Sequence, residues 1–350
     1  MPDTERLVHD SRVMDQALQL VAAVEAQSAL LRSVGGPPRQ LSVRDRLAVH
    51  LDVDPTDVPF PLGALGRLTA REVRADVVLV SRNPTRRIRL RALYLGAGIA
   101  VAMHGRLRFH RAVRLLHGAD IARRLAGAGG LAIPDELERG RRLRHAWVAE
   151  ALLDGKEVRP DQWDAIAGRL ADGIVDLWQH EPIRIRPFRH AVERIDAGVF
   201  RQMIDDMDLT IRRPDEFARV VAAVTASEAG VLVGTTHGDP IPGNVLQLAD
   251  QRLGLVDWEM ADIGPLGIDA ARMALHVDDP LALLQRIEHR LPPIRRQGTA
   301  PWIHQVGGVL ASLLPVWHAQ MKLWPKHRQD GRRERLTHRL RVAERLLTGS

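Results

Sequence analysis

The chain has 350 residues, 45% of them hydrophobic and 27% charged, with a formal net charge of +7 at pH 7. This composition is that of an ordinary globular protein and excludes a disordered, collagen-like or coiled-coil chain. Cysteine is absent, which excludes disulfides, cysteine-ligated zinc, iron–sulfur clusters and a thiol nucleophile.

Residues 1–60 predict a helical N-terminal extension. Val13, Leu18, Val21 and Val24 recur at near-helical spacing. The start of the chain lacks the basic and then apolar pattern of a signal peptide. No apolar run approaches the roughly 18 residues of a membrane span. We therefore expect a cytoplasmic protein with no membrane partner.

Residues 61–155 predict a small β-rich domain. Residues 73–80, 88–95 and 99–103 have the apolar and alternating patterns of strands, and residues 147–153 read as a further strand. A helix is expected over about 109–125.

Residues 156–350 predict a larger and mainly helical domain. Helical patterns cover 161–180, 188–208 and 214–230, and two strand-like stretches at 231–245 and 253–258 interrupt them. Helices resume from Asp269. The last one, at about 332–347, places four apolar residues on one face, namely Leu336, Leu340, Ala343 and Leu347.

Charge is distributed unevenly along this second domain. Residues 201–280 hold 6 basic and 14 acidic residues, whereas residues 281–350 hold 13 basic and 4 acidic ones. An acidic segment within a basic protein predicts a cation site, and the basic C-terminal end reads as solvated surface. Only three of the 50 basic residues are Lys, at positions 156, 322 and 326. The Arg excess does not favour a dedicated nucleic-acid site, which would need the C-terminal arginines to form one continuous face.

The most informative segment follows the first strand-like stretch. It carries His237, Gly238 and Asp239, then Asn244 five residues after the aspartate, and the next strand ends in Asp257. Phosphoryl transfer needs a carboxylate near the attacking hydroxyl and oxygen ligands for Mg²⁺. Mg²⁺ takes one or two carboxylates besides phosphate, so two aspartates and an asparagine supply the required set.

This segment resembles the catalytic and metal loops of the aminoglycoside phosphotransferase and choline kinase group, relatives of the protein kinases. The resemblance covers residues 235–269, including Trp258, Glu259 and the Gly-Pro segment at 264–265. It implies an α+β, bilobal, protein-kinase-like fold. The small β-rich N-lobe would be residues 61–155, the larger helical C-lobe residues 156–350, and the helical N-terminal extension residues 1–60.

The resemblance also implies roles for individual residues. Asp239 would be the catalytic base, and Asn244 and Asp257 would be Mg²⁺ ligands. His237, Glu259 and Asp269 would support the loop. Taken singly, these residues also fit ordinary turn or helix-cap positions, and the charged ones fit solvated surface.

Residues 147–155 resemble the connector between the lobes in that group. By this analogy the backbone of Glu150, Ala151 and Leu152 would hydrogen-bond the purine edge of the nucleotide. The same pattern, an apolar strand followed by Asp154-Gly155, also fits a plain hairpin.

The N-lobe departs from the group in one respect. No Lys precedes Lys156, and no Glu lies between Glu72 and Glu136, so the Lys–Glu pair that positions nucleotide phosphates is missing. Met103 stands on the strand where a Lys would be sought. Arg108, Arg111 or Arg114 would serve as a surrogate, since guanidinium groups suit phosphate oxygens. The alternative is a degenerate nucleotide site.

Two functional hypotheses follow. The first is an ATP- or GTP- and Mg²⁺-dependent O-phosphotransferase, a kinase acting on a hydroxyl of a small molecule such as an aminoglycoside, another antibiotic, a sugar or a secondary metabolite. The second is a kinase-like protein with a degenerate site, acting as a peptide-modifying kinase or a non-catalytic partner in a biosynthetic complex. An acidic cluster would suit a polyamine acceptor or be a solvated helical face; its members are Asp205, Asp206, Asp208, Asp215 and Glu216.

Overall fold

The structure is a computed structural model that describes most of the chain. The described residues are 17–34, 39–40, 72–83, 87–105, 109–142, 145–207, 211, 213–292, 298–323 and 329–349. The chain is divided into two compact units. The β-rich unit comprises Met1–Arg123 and Pro134–Leu153, and the helical unit comprises Arg124–Ile133 and Asp154–Ser350.

The β-rich unit is organised around a five-stranded antiparallel sheet. Its strands stand in the spatial order β3-β4-β5-β7-β6, where the two outer pairs are hairpins and the central strand pairs with both. The strands of this unit are β1 Arg39–Gln40, β2 Glu72–Val73, β3 Val77–Asn83, β4 Arg87–Tyr94, β5 Ile99–Gly105, β6 Glu136–Arg142 and β7 His145–Ala151.

Helices cover both faces of this sheet. Helix α1 (17–27) and helix α2 (Ala29–Val34) share a buried cluster with side chains of β3, β4 and β5. Helix α3 (Phe109–Leu125) packs Leu115 and Ala119 against Ala146 and Val148 of β7. Because side chains of a strand alternate between faces, each central strand contributes to both clusters.

A buried carboxylate fixes helix α1 to the sheet. Oε1 of Glu25, 6% exposed, accepts hydrogen bonds from the backbone N–H of Arg74 at 2.8 Å and of Ala75 at 3.0 Å, and from the Tyr94 hydroxyl at 2.9 Å. Burial raises the pKa of Glu25. Residues 17–34 therefore belong to the core of the β-rich unit and do not merely extend from it.

The helical unit contains most of the remaining elements. Its helices are α4 Trp163–His180, α5 Phe188–Ala191, α6 Ala197–Asp206, α7 Pro214–Thr225, α8 Gly267–Ala274, α9 Pro280–Arg290, α10 Trp302–Lys322 and α11 Asp330–Thr348. Helix α10 packs along α11, α8 and α7. The four apolar residues predicted for one face of the last helix are all buried.

Two small antiparallel sheets of the helical unit carry the loops of interest. One has the order β13-β10-β9 and the other β12-β11-β8. Their strands are β8 Gly155–Glu157, β9 Arg184–Pro187, β10 Gly230–Thr236, β11 Val245–Leu248, β12 Leu253–Leu255 and β13 Asp262–Pro265. Every residue of β10 is buried, so this strand is the rigid support from which the His237 segment leaves.

The architecture confirms the predicted α+β class, with a β-rich N-terminal part and a helical C-terminal part. Some elements differ from expectation. The helix predicted over 188–208 is two helices, because Asp196 caps a new one through the N–H groups of Gly198 and Val199. Strands β6, β8, β9 and β13 were not predicted, and all are polar or very short.

Across the described residues, no helix combines the length and the apolar character needed to cross a bilayer.

Candidate functional site

The segment at 237–239 leaves the buried strand β10 through a sharp turn at Gly238. Gly238 has a φ of +83°, in the left-handed region that glycine tolerates best. A Cβ at this position would lie 2.3 Å from the carbonyl oxygen of Met260. The close approach of two backbone segments thus requires glycine, and it brings Asp239 next to the loop that follows Asp257.

Asp269 anchors this turn from the first turn of α8. Its side chain is fully buried. Oδ2 accepts from the backbone N–H of His237 at 3.0 Å and from Nε1 of Trp178 at 3.2 Å, and Oδ1 accepts from the N–H of Gly238 at 2.7 Å. Burial raises the pKa of Asp269, and these donors oppose that rise. Asp269 thus holds the backbone of the turn, and its supporting role in a catalytic loop stays a prediction.

His237 links the same turn to the strand before Asp257. Its Nε2 lies 3.0 Å from the carbonyl oxygen of Val256, and its Nδ1 accepts from the backbone N–H of Asp239 at 3.3 Å. The ring packs edge-on against Trp258, 4.7 Å between centroids. Complete burial lowers the pKa of His237. A neutral imidazole with its proton on Nε2 satisfies both contacts, so the ring serves as a spacer between two loops.

Asn244 and Asp239 are held together directly. Nδ2 of Asn244 donates to the backbone oxygen of Asp239 at 2.9 Å and lies 3.4 Å from Oδ2 of the same residue. Asn244 is 8% exposed and ends a short turn over Pro242–Asn244. Because the amide nitrogen faces Asp239, the amide oxygen is the atom that Asn244 has available for a cation.

Asn244 and Asp257 lie at facing ends of paired strands. Strands β11 and β12 pair Val245 with Leu255, and the N–H of Val256 donates to the backbone oxygen of Asn244 at 3.0 Å. Asp257 follows directly with a φ of +69°, which is uncommon for a residue other than glycine. Such outliers cluster at functional sites. The charges of Asp239 and Asp257 both act to raise the pKa of His237, against the larger lowering effect of burial.

The donor set of these three residues fits Mg²⁺. It offers two carboxylates and one amide oxygen, which are hard oxygen ligands, and leaves the other positions to phosphate and water. Oδ1 of Asp239 is buried and has no hydrogen-bond partner among the described residues. In the same part of the chain, no group of three or more His, Asp or Glu side chains could hold a metal ion, so a cation here would depend on the amide oxygen and a ligand from the substrate.

Glu259 lies in the turn over Trp258–Met260 and is partly exposed. Its neighbour Trp258 is buried and donates from Nε1 to the backbone oxygen of Leu255 at 2.9 Å. The turn is thus fixed by the tryptophan, and the supporting role of Glu259 stays a prediction.

The sequence reasoning missed Arg272. Its Nη1 lies 3.4 Å from Oδ1 of Asp239, and its side chain is 16% exposed. Arg272 is three residues after Asp269 on helix α8, so both side chains lie on one face of that helix. This spacing was the one signal in the sequence, and it did not by itself indicate the pairing of Arg272 with Asp239.

The predicted purine-binding segment lies in the β-rich unit. Strand β7 ends at Ala151, whose N–H donates to the oxygen of Asp135, and the N–H of Leu152 donates to the oxygen of Gly98. The assignment of Glu150, Ala151 and Leu152 to the nucleotide stays a prediction. The two bonds narrow the choice of backbone groups that could bond to the purine, because the N–H groups of Ala151 and Leu152 already have backbone acceptors.

Met103, which stands on the strand where a Lys would be sought, is part of the apolar core. Met103 is buried with Val101 and Ile99 in the cluster beneath α1, on the face of the sheet away from α3. His104 is on the opposite face, with Ala102, and is 5% exposed. Of the proposed arginines, Arg114 is exposed on α3, while Arg108 and the side chain of Arg111 lie outside the described residues.

The acidic cluster of the helical unit is engaged in ion pairs. Arg201 pairs with Asp205 and, at 2.8 Å, with Asp215, and Lys322 lies 2.7 Å from Asp206. Glu216 lies 3.1 Å from Arg213, and Asp208 is outside the described residues. These carboxylates form a paired surface on the helices, as the solvated-face interpretation expected.

A comparison with protein-family models gives one match. The model described as the phosphotransferase enzyme family matches residues 96–302, which is more than half of the chain. It covers the turn at Gly238 and the residues Asp239, Asn244, Asp257 and Asp269. No curated protein matches the sequence.

Solved structures give distant matches. An aminoglycoside phosphotransferase from Alicyclobacillus acidocaldarius is 14% identical, with a TM-score of 0.47, over 75% of this chain and 88% of that one. The choline kinase LicA from Streptococcus pneumoniae is 9% identical, with a TM-score of 0.47, over 75% of this chain and 90% of that one.

Proposed function

We propose a substrate class and residue roles from the premise that this chain belongs to the phosphotransferase enzyme family. It is a phosphotransferase with a hydroxyl group as acceptor. The proposal is that it moves the terminal phosphoryl group of ATP or GTP, in the presence of Mg²⁺, to a hydroxyl of a small molecule. Asp239 is assigned as the base, and Asn244 and Asp257 as the residues that hold the metal.

One observation supports these roles above the others. Asp239, Asn244 and Asp257 leave three different backbone segments, yet two hydrogen bonds of Val256 and one of Asn244 tie those segments together. Bound Mg²⁺ neutralises charge on the nucleotide phosphates. The chain's own part is to orient the acceptor hydroxyl at Asp239 and to take its proton on a carboxylate oxygen.

The surroundings of Asp239 suit that task. Its backbone N–H is held by His237 and its backbone oxygen by Asn244, which fixes the backbone, and Nδ2 of Asn244 lies 3.4 Å from Oδ2 of the side chain. The carboxylate is 21% exposed and so stays accessible to an acceptor. Arg272 keeps positive charge beside it, with Nη1 3.4 Å from Oδ1 of Asp239.

Asp239→Asn tests the assignment of the base. We expect phosphate transfer to fall by about 1,000-fold or more, because the general base is lost, while nucleotide binding is kept. Transfer is followed by nucleotide consumption over a panel of hydroxyl compounds, and binding by a thermal shift with ATP and Mg²⁺. Asp262→Asn, an exposed aspartate on β13, is the matched control. Turnover kept in the Asp239 variant would refute the role.

Asp257→Ala tests the metal assignment separately. We expect the Mg²⁺-dependent part of the thermal stabilisation by ATP to disappear, because one of two carboxylate ligands is removed. Stabilisation by ATP alone would remain. An unchanged Mg²⁺ dependence would contradict the assignment.

A second candidate function is a ligand-binding protein without phosphate transfer. It is favoured by the absence of Lys before Lys156 and by an apolar Met103 on the central strand. The two candidates differ in the nucleotide assay: a binding protein would show no thermal shift with ATP or GTP and no nucleotide consumption with any acceptor.

A further inference from the structure

A group of basic and aromatic side chains lies beside Asp239, on three helices of the helical unit. We call it the Arg–Trp cluster and define it as Arg272 on α8, Trp317 on α10 and Arg339 on α11. The guanidinium carbons of Arg272 and Arg339 lie 4.9 Å and 4.1 Å from the centroid of the Trp317 ring. These two distances together limit the separation of the two carbons to 9.0 Å.

The positive charge of the cluster is poorly compensated. Arg272 has one carboxylate at ion-pair distance, that of Asp239, and Nε of Arg272 is buried without a hydrogen-bond partner among the described residues. In the same part of the chain Arg339 forms no ion pair, and its contact is the tryptophan ring. Both guanidinium groups thus lie against one ring, and one carboxylate is at ion-pair distance from one of them.

Burial and neighbouring arginines act on Arg339 in the same direction. Burial first, and then the charges of Arg272, Arg335 and Arg332, lower the pKa of Arg339 to about 10, while the charge of Asp239 opposes them. Placing two like charges close together in a partly buried site is unfavourable unless an opposite charge is supplied. The aspartate supplies one negative charge for two positive ones.

The described part of the acidic cluster does not share this imbalance. The carboxylates at 205, 206, 215 and 216 already pair with Arg or Lys at the surface. The described part of the acidic cluster therefore offers paired carboxylates to a polycation, while the site next to Asp239 holds two guanidinium groups with one carboxylate at ion-pair distance. Guanidinium groups bind carboxylate and phosphate oxygens through paired N–H donors.

We propose that the Arg–Trp cluster binds an anionic group of the acceptor, so that the enzyme phosphorylates a hydroxyl compound that carries a carboxylate or phosphate. This inference rests on the proposed function, because it assumes that the acceptor hydroxyl reaches Asp239. Arg272 contacts both Asp239 and the anion, and Arg339 contacts the anion from the other helix. A compound with several amino groups is disfavoured at this place, since it would meet like charge.

The experiment compares four compounds of one skeleton: glucose, glucosamine, glucuronate and glucose 6-phosphate. Binding to the full chain is measured by isothermal titration calorimetry without nucleotide. We expect saturable binding of glucuronate, glucose 6-phosphate or both, and none of glucosamine. Binding of only one anion would identify the carboxylate or the phosphate as the source.

Variants locate the binding. Arg339→Gln should weaken anion binding by about tenfold or more, the loss typical of one hydrogen bond to a charged group. Arg345→Gln, an exposed arginine on the same helix, is the control and should leave it unchanged. Should Arg339→Gln fail to fold, Arg339→Lys is used instead, because it keeps the positive charge but loses the paired N–H donors. A loss of anion affinity in Arg339→Lys that is larger than the loss in Arg345→Gln supports the site.

The outcomes separate this inference from the proposed function. Anion binding that Arg339→Gln and Arg339→Lys leave unchanged would overturn the inference, as would turnover of glucosamine faster than of glucuronate. Anion binding lost in Arg339→Gln, but with no nucleotide consumption for any acceptor, would support the anion site while refuting phosphate transfer. If transfer occurs, KM for the anionic acceptor should rise more than kcat falls in the Arg339 variant, whereas a merely structural role would change thermal stability instead.

Discussion

The loop around Asp239 and the Arg–Trp cluster lie side by side and are built in opposite ways. The loop residues come from one stretch, 237–269, and their polar groups are bonded to one another through His237, Asn244 and Asp269. The cluster draws one residue from each of three helices, and it leaves positive charge without a partner. The difference indicates that the chain itself holds the loop in place. The cluster, by contrast, has positive charge that an anionic ligand would compensate.

Energetic reasoning supports this division. A buried polar network is favourable only if each member is satisfied. Asp269 meets that condition because its carboxylate accepts three donors, and the loop atom left open is Oδ1 of Asp239. The cluster does not meet it, because Nε of Arg272 is buried without a hydrogen-bond partner among the described residues, and this arrangement costs stability. Such a cost is expected where a group must remain available to a ligand.

The strongest test of the scaffold is Asp269→Asn. An amide nitrogen in place of Oδ2 leaves two buried N–H donors without an acceptor, at about 1–3 kcal/mol each. We also expect kcat to fall by about 100-fold, since the loop that holds Asp239 would shift. Urea unfolding and steady-state kinetics measure the two effects. A variant that unfolds at the wild-type urea concentration would show that the loop does not depend on this carboxylate.

Gly238→Ala is the next largest change. The new Cβ would meet the Met260 carbonyl at 2.3 Å and would sit at a φ of +83°. Left-handed backbone costs a non-glycine residue about 1–3 kcal/mol. Gly127→Ala is a matched control, because Gly127 has a φ of +82° and open space at its Cβ. We expect the Gly238 variant to lose more thermal stability than the Gly127 variant, and equal losses would exclude the clash.

Trp317→Ala probes the cluster in the same way. Without the ring, both guanidinium groups lose a cation–π contact worth about 0.5–2 kcal/mol. We expect KM for an anionic acceptor to rise by roughly tenfold, and Trp317→Phe to restore most of the affinity because it keeps an aromatic face. Competition kinetics with glucuronate measure this. Equal KM values in the alanine and phenylalanine variants would show that the ring acts only as packing.

The smallest expected effect is in the pH dependence of stability. Burial lowers the pKa of His237 below its ordinary value of 6.5. The unfolded chain therefore binds the proton first, and the free energy of unfolding should fall as pH drops below 6.5 toward the lower folded pKa, by at most about 1.4 kcal/mol per unit. Asp269 acts oppositely, because burial raises its pKa.

A comparison of variants isolates the contribution of His237 to the pH dependence of the free energy of unfolding. His237→Gln should reduce the fall in stability between pH 7.5 and pH 5.5 in urea titrations, whereas exposed His304→Gln should not. A slope unchanged in the His237 variant would mean that the imidazole is charged or solvated in the folded protein.

The sequence predicted the loop well because its chemistry is local. Asp239, Asn244 and Asp257 follow strands and turns whose offsets are visible in the chain, and the fold brings those turns together through adjacent backbone pairing. Their roles as base and metal ligands stay predictions. Arg272 was missed even though it stands one helical turn after Asp269, since a single arginine at that spacing from an aspartate has no distinctive pattern.

The Arg–Trp cluster was not predictable from local pattern. Positions 272, 317 and 339 meet only because α8, α10 and α11 pack together, and helix packing does not follow from periodicity alone. The basic C-terminal segment was interpreted as solvated surface, which is wrong for Arg339, held half-buried against Trp317. Strand β9 was missed for a related reason: it is short and Arg-rich, and pairing with buried β10 stabilises it.

The bond between Glu25 and the Arg74–Ala75 backbone bears on how shortened versions of the gene should be designed. The family match starts at residue 96, in the turn between β4 and β5, although strands β3 and β4 and helix α1 complete the same core. An expression fragment cut at the limits of the match would lose two strands of a five-stranded sheet and expose the apolar underside of the third. Recombinant work should therefore keep residues 17–95, and a purification tag belongs ahead of helix α1 and not in its place.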